Sequence, residues 1–282
     1  MLVRELDIDC DPLLAAEKVA ELSGVSLLHS GLMAYGLGRF SILAANPEKT
    51  FTFRGGQARV EDGAGSRDVS GSLFAALAEE TGRFPGRARG ELPFYGGAIG
   101  YFAYEAGRQL ERISDRSRAG ESYDARFRFY SGGIVFDHAE SRVYATTCRE
   151  DFDTGMRSVI EAVSGAARPV KGDAFQLLGK LESNFTRAEY VEAVARVREL
   201  IRDGEVYQVN LSQRFSGKFA GSAWELFRRL ASESPAPYAA YLDFGDEVIV
   251  SSSPERFLYL NDGRATTRPI KGTRPAGGTP EE

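Results

Sequence analysis

The chain has 282 residues, of which 43% are hydrophobic and 11% aromatic, enough apolar side chain for one large core or two smaller ones. Thirty-five basic against forty acidic residues leave a net charge of −5, and no cluster of lysine and arginine is long enough to follow a phosphate backbone, which argues against nucleic acid as a partner. Met1 to Cys10 lacks both a basic leader and an apolar stretch, and no run approaches the ~18 apolar residues of a membrane span, so a cytoplasmic protein without membrane attachment is expected.

In chain order, a strand is expected over 2–8, followed by a helix that Asp11 caps, Pro12 opens and Leu22 closes. Residues 25–30 and 39–44 read as strands, and 51–54 with 57–61 as a hairpin across Gly55-Gly56. A helix is expected over 71–81. The glycine-rich segment 95–105 lacks the spacing of a phosphate-binding loop and reads as a strand whose glycines allow close backbone packing. Residues 127–136 and 142–147 read as a further strand pair. Periodicity is lost over 164–180, where Gly165, Pro169 and Gly172 mark a connecting loop. Thr186 with Glu189 forms a capping box opening a helix that Gly204 stops, and a strand is expected to follow around Gln208, with Tyr207, Val209 and Leu211 on one face and Gln208, Asn210 and Ser212 on the other. A second box, Ser222 with Glu225, opens a helix through Ser232, and strands are expected over 238–244 and 248–252. The pattern without regular βαβ units predicts an α+β fold of largely antiparallel sheets with flanking helices. The expected division is 1–163, a connector over 164–183, and 184–282.

Two cysteines, Cys10 and Cys148, and two histidines, His29 and His138, are too few and too scattered for a structural zinc site, and no G-x-S-x-G elbow is present. The pattern that carries chemistry lies near the end. Ser253-Pro254-Glu255-Arg256-Phe257 leads into a strand, a turn at Asn261-Asp262-Gly263 and a second strand that runs into Pro269-Ile270-Lys271-Gly272-Thr273. With Leu260 and Arg264 closing a three-residue loop, opposed residues sum to 524, so Glu255 and Lys271 share one face as diagonal neighbours about 7 Å apart at the backbone. A slip of one residue separates them. A lysine amine with its reference pKa near 10.4 must be dried or deprotonated before it can attack a carbon, and a facing carboxylate can take its proton. From spacing alone, a rim ion pair at a sheet edge is the favoured reading of the same pair.

These motifs, with Gly204-Glu205-Val206-Tyr207-Gln208-Val209-Asn210-Leu211-Ser212-Gln213-Arg214-Phe215, resemble the chorismate-utilising enzymes, specifically the synthase subunit of aminodeoxychorismate synthase. The resemblance implies an anthranilate-synthase-like two-layer sandwich, incomplete in this chain, and a transferase of p-aminobenzoate and folate biosynthesis. It implies that Lys271 is the nucleophile at C2 of chorismate, with Glu255 as general acid or base, and that Gln208, Gly272 and Thr273 contact substrate. Anthranilate synthases carry alanine where this chain has Lys271. Relatives that add water carry lysine where this chain has Gln208, and glutamine has no basic amine to activate water.

The same resemblance implies a glutamine amidotransferase subunit as ammonia source and Mg2+ held by ligands beyond Glu282, so the chain is expected to be inactive alone. Leu27-Leu28-His29-Ser30 and Ser234-Pro235-Ala236-Pro237-Tyr238 resemble the two segments that hold tryptophan in the superfamily, with Ser30, Pro237 and Tyr238 as its contacts, although Ser234 and Ala236 depart from the usual N-P-S-P-Y. Simple packing of these residues between two sheets is the other reading. The remaining alternatives are an anthranilate synthase and a non-catalytic tryptophan-binding or assembly module.

Overall fold

The computed structural model describes residues 1–33, 36–84, 91–111, 123–166, 174–270 and 272. In chain order these form β1 (Leu2–Leu6), α1 (Pro12–Lys18), β2 (Ser26–His29), β3 (Phe40–Ala44), β4 (Lys49–Arg54), β5 (Gln57–Asp62), β6 (Gly65–Val69), α2 (Leu73–Arg83), β7 (Gly97–Phe102), a 3-10 turn at Tyr104–Gln109, β8 (Ala125–Tyr130), β9 (Gly132–Asp137), β10 (Arg142–Thr147), α3 (Thr154–Ser164), β11 (Gln176–Ser183), α4 (Arg187–Arg202), β12 (Phe215–Ala220), α5 (Ala223–Glu233), β13 (Tyr238–Asp243), β14 (Val248–Ser253), β15 (Arg256–Asn261) and β16 (Arg264–Arg268). The fold is α+β with antiparallel pairing throughout, as its alternating strands predict. No helix among the described residues is long and apolar enough to cross a membrane.

The chain divides into two compact units, Met1–Val170 with Phe227–Glu282, and Lys171–Leu226. The boundaries expected at 163 and 184 do not coincide with these units. Strand β11 occupies the end of the expected connector, and residues from Phe227 onward return to the first unit.

The first unit is a sandwich of a seven-stranded sheet, ordered β1-β10-β9-β3-β2-β13-β14, and a five-stranded sheet, ordered β6-β5-β4-β8-β7. Ala44 and Leu242 from the larger sheet meet Ile99 and Tyr130 from the smaller in one buried cluster, with Phe244 closing it. On its far side the smaller sheet buries Phe51, Phe53, Val60 and Phe129 against Leu73 and Ala76 of α2. Across the layers, the Tyr101 hydroxyl donates to Glu247 at 2.6 Å.

The expected single strand over 127–136 is two strands in different sheets. β8 ends at Tyr130, the chain turns at Ser131, and β9 begins at Gly132 in the other layer. Ser131 O accepts Cys148 N–H at 2.9 Å and the Thr147 hydroxyl at 2.8 Å, which ties the corner to β10. A Cβ on Gly132 would meet Thr146 O at 2.0 Å, so only glycine lets the backbones pass this closely. The same argument holds at Gly100, whose added Cβ would lie 2.0 Å from Arg126 O, and the 95–105 segment is the closely packed strand its glycines predict.

Helix α1 is capped by Asp11, whose carboxylate accepts Leu13 N–H and Leu14 N–H, but it ends at Lys18 rather than Leu22. Helix α3, absent from the elements expected above, carries the signal for itself. Asp153 caps it, and Met156, Val159, Ile160 and Val163 recur at helical spacing and are all buried.

In the second unit, α4 has both arms of the expected capping box, Thr186 Oγ1 accepting Glu189 N–H at 3.2 Å and Glu189 accepting Thr186 N–H at 2.8 Å. Gly204 ends it with φ +77° while Leu200 O takes Glu205 N–H. Replacing Thr186 by alanine should cost about 1 kcal/mol locally. Faster amide exchange confined to the first turns of α4 is the expected observation. Unchanged exchange would show that the cap contributes nothing.

Candidate functional site

The hairpin that carries the chemistry is built as β15 and β16, but its turn differs from the expected one. Asn261 pairs with Arg264, which leaves a two-residue loop of Asp262 (φ 47°) and Gly263 (φ 74°). Two successive positive φ angles define the turn that matches strand twist, and Asp-Gly is a preferred sequence for it. Opposed residues therefore sum to 525 near the turn, not 524. A β-bulge then sets Phe257 and Leu258 against Thr267 alone, and Arg256 pairs with Arg268. The bulge restores the expected sum of 524 at the open end, which is the end that leads to Glu255.

Glu255 is half-buried, and its backbone is fixed before the strand begins. Its N–H donates to Ser253 Oγ at 3.4 Å, and Ser253 Oγ donates to Glu255 O at 3.2 Å. Immediately after it, the Arg256 guanidinium lies 5.2 Å from the centre of the Tyr238 ring and 5.0 Å from that of Tyr259. Lys271 and Thr273 lie outside the described residues. Gly272 is described and exposed.

Gln208 is not on a strand. Residues 206–214 have no regular structure, Tyr207 is 96% exposed, and the next strand starts at Phe215. Alternation of polar and apolar residues makes a segment eligible for a sheet, but a strand needs a neighbour, and no strand among the described residues pairs with this one. Its end is tied down nonetheless, because Arg214 N–H donates to Asn184 Oδ1 at 2.7 Å and Asn184 N–H to Arg214 O at 3.0 Å. Gln208 belongs to the unit 171–226 and Glu255 to the other.

Ser30, Pro237 and Tyr238 are brought together where β2 runs beside β13. The Ser30 hydroxyl donates to Pro237 O at 3.2 Å and to Phe40 O at 2.7 Å, and Gly31 N–H donates to Ala236 O at 3.0 Å. The Tyr238 hydroxyl is buried without a hydrogen-bond partner among the described residues. Behind Ser30, its N–H donates to Ser41 Oγ at 3.0 Å. Ser41, His138 and Arg256 are the neighbours that the sequence reading did not single out. A polar residue amid Phe40, Ile42 and Leu43 was the available signal for Ser41.

Among the described residues no three His, Cys, Asp or Glu side chains stand close enough together to hold a metal ion.

The family model for chorismate binding enzymes matches residues 29–282. The chain belongs to the chorismate-binding enzyme family. It is 34% identical over 266 residues to aminodeoxychorismate synthase component 1 of Salmonella typhimurium, covering 93% of this chain and 57% of that protein. It is 32% identical over 276 residues to anthranilate synthase component 1 of Thermus thermophilus, covering 96% and 59%. Among solved structures, anthranilate synthase component I of Streptococcus pneumoniae superposes with a TM-score of 0.69 at 27% identity, covering 84% of this chain and 55% of that one. The expected anthranilate-synthase-like sandwich is thereby met. The chain spans somewhat more than half the length of those relatives.

Proposed function

We propose that this chain is part of an aminodeoxychorismate synthase, which converts chorismate and ammonia to 4-amino-4-deoxychorismate on the way to p-aminobenzoate and folate. The observation that carries the reading is Lys271 in Pro269-Ile270-Lys271-Gly272-Thr273, together with a hairpin whose last described pair, Arg256 with Arg268, has the register expected to set Glu255 and Lys271 on one face. The similarity to aminodeoxychorismate synthase component 1 supports it.

In this reading the neutral Lys271 amine forms a bond to C2 of chorismate, both conjugated ring double bonds shift along the ring, and the 4-hydroxyl leaves C4 as water with a proton supplied through Glu255. Ammonia then bonds to C4, both double bonds shift back, and the lysine amine departs from C2. One ammonia enters and one water leaves. The ammonia source is a glutamine amidotransferase subunit, and the setting is the cytoplasm. Magnesium, the substrate contacts of Gln208, Gly272 and Thr273, and an amino acid held at Ser30, Pro237 and Tyr238 belong to the same reading.

The test is product analysis. Protein expressed from the gene read to its stop codon is given chorismate and ammonium with magnesium present. Formation of 4-amino-4-deoxychorismate is the expected result. Anthranilate as the product would overturn the assignment in favour of the other branch of the family, and no turnover with retained tryptophan binding would favour a non-catalytic module.

A further inference from the structure

Both histidines of the chain converge on one buried hydroxyl. Ser41 is fully buried, and its Oγ lies 2.8 Å from His138 Nε2 and 3.4 Å from His29 Nδ1 while accepting Ser30 N–H at 3.0 Å. The strands dictate the meeting. β2 and β3 pair Leu28 with Ile42, which brings His29 level with Ser41, and β3 and β9 pair Phe40 with Asp137, which brings His138 alongside.

We propose that Ser41 is a positioning residue for Ser30, and that His29 and His138 hold its hydroxyl in place only while at least one of the two rings is neutral. The inference rests on the reading that Ser30, Pro237 and Tyr238 form a small-molecule site, for which an amino acid is the ligand class.

The argument is an inventory of hydrogens. A serine hydroxyl has one O–H to give and two lone pairs to offer. Ser30 N–H takes one lone pair, so one imidazole must accept the O–H while the other donates into the second lone pair. Either tautomeric arrangement satisfies this, and so does a single added proton, which only commits one ring to donating. A second proton makes both rings donors. Three donors then face two lone pairs, the hydroxyl hydrogen has no acceptor, and one bond must break. The bond to Ser30 is among the three at risk, and with it the setting of the Ser30 hydroxyl, whose one hydrogen lies between Phe40 O at 2.7 Å and Pro237 O at 3.2 Å.

The surroundings favour few protons. Burial, and then His138, push the His29 imidazole down to about 4, with Asp11 at the α1 cap pulling the other way. Phe227 of α5 meets the His29 ring edge-on at 6.3 Å, and Tyr241 of β13, whose hydroxyl is raised to about 12 by burial, stacks on Phe227 at 5.7 Å, so neither adds a charge. Burial lowers His138 as well, against Asp137, whose carboxylate is taken up by Arg39 at 2.6 Å with Glu140 beside it.

Tryptophan titrations by calorimetry at pH 7.5 and NMR titration of the two histidine rings from pH 8 to 4.5 test this. In the wild type one ring should take a proton while the other stays neutral, and saturating tryptophan should move both sets of resonances. Ser41→Ala should bind tryptophan roughly tenfold more weakly, the effect of losing the acceptor for one N–H. Wild-type affinity in Ser41→Ala, or both wild-type rings protonating while the Ser30 amide stays protected from exchange, would overturn the proposal. Should Ser41→Ala fail to fold, His138→Gln and His138→Leu decide. The glutamine amide still offers Ser41 a partner and should keep binding within about threefold, whereas leucine should lose it, again by roughly tenfold. Equal binding by both sinks the idea. Absence of tryptophan binding by the wild type removes the small-molecule site itself, and this inference with it, before any variant is compared.

Discussion

Replacing Lys271 by alanine will lower the rate of 4-amino-4-deoxychorismate formation by at least about 10²–10³-fold, the range in which loss of a single catalytic group falls, and will leave chorismate affinity changed by only a few-fold. The reasoning is differential. In the proposed reaction the lysine bonds to C2 only after substrate is bound, so its removal strikes the chemical step more than capture. Glu255→Gln should give a loss of similar size, because an amide keeps the shape of the carboxylate but cannot carry the proton to the leaving hydroxyl. The two changes act on one event and should not add; the double variant should be within a few-fold of the slower single one. Intact-protein mass spectrometry of trapped enzyme supplies the independent readout, a substrate-derived adduct in the wild type that Lys271→Ala lacks. Retention of the adduct in that variant, or a rate within about threefold of wild type, would remove Lys271 from the role of nucleophile.

How much of this was legible in the sequence follows from what each signal encodes. The capping box of α4 is local chemistry, complete within four residues, and is present; the place of the hairpin turn was legible in Asn261-Asp262-Gly263 but not its length, which is two residues rather than three. The crossing at Ser131 was not legible. A run from Phe127 to Phe136 is apolar and β-prone on both sides of the corner, and periodicity has no mark for a change of sheet. The bulge at Phe257 and Leu258 was hidden for a related reason, since a turn shorter by one residue and a strand longer by one restore the same register at the far end. The Gln208 strand failed because pairing is a property of two segments. The hub at Ser41 depends on three strands meeting in register, and single-segment reasoning saw only an isolated serine and two isolated histidines.

Glu80→Ala should be among the most damaging substitutions to stability that the first unit offers. The carboxylate is fully buried on α2, yet it is not alone. Oε2 accepts Lys49 Nζ at 2.7 Å from β4, and Oε1 accepts Arg67 at 2.8 Å from β6 and Arg83 at 3.2 Å from the helix itself. Lys49 Nζ also donates to Glu80 O at 3.1 Å and lies 4.3 Å from the centre of the Phe129 ring. Arg67 and Arg83 are about half exposed and can turn to water, but the Lys49 side chain is 12% exposed and cannot.

Alanine therefore strands one ammonium in the interior and opens a cavity, and removing one partner of a buried pair costs roughly 3–5 kcal/mol. Against a total of about 5–15 kcal/mol, that should lower the melting temperature by roughly 6–20 °C. Changing both Lys49 and Glu80 to methionine should recover at least half of the loss, because no unpaired charge is then left inside. Burial alone would raise the Glu80 carboxyl, but Lys49 and then Arg67 hold it below its ordinary 4.5. The folded state thus binds that proton less readily than the unfolded chain, so the clamp's stabilisation is present above pH 4.5 and fades as the pH falls through the lowered folded value. In Glu80→Gln that part of the acid sensitivity should be gone. A Glu80→Ala protein that melts within about 2 °C of wild type would show that water reaches Lys49 after all, and that the clamp does not hold α2 to the sheet.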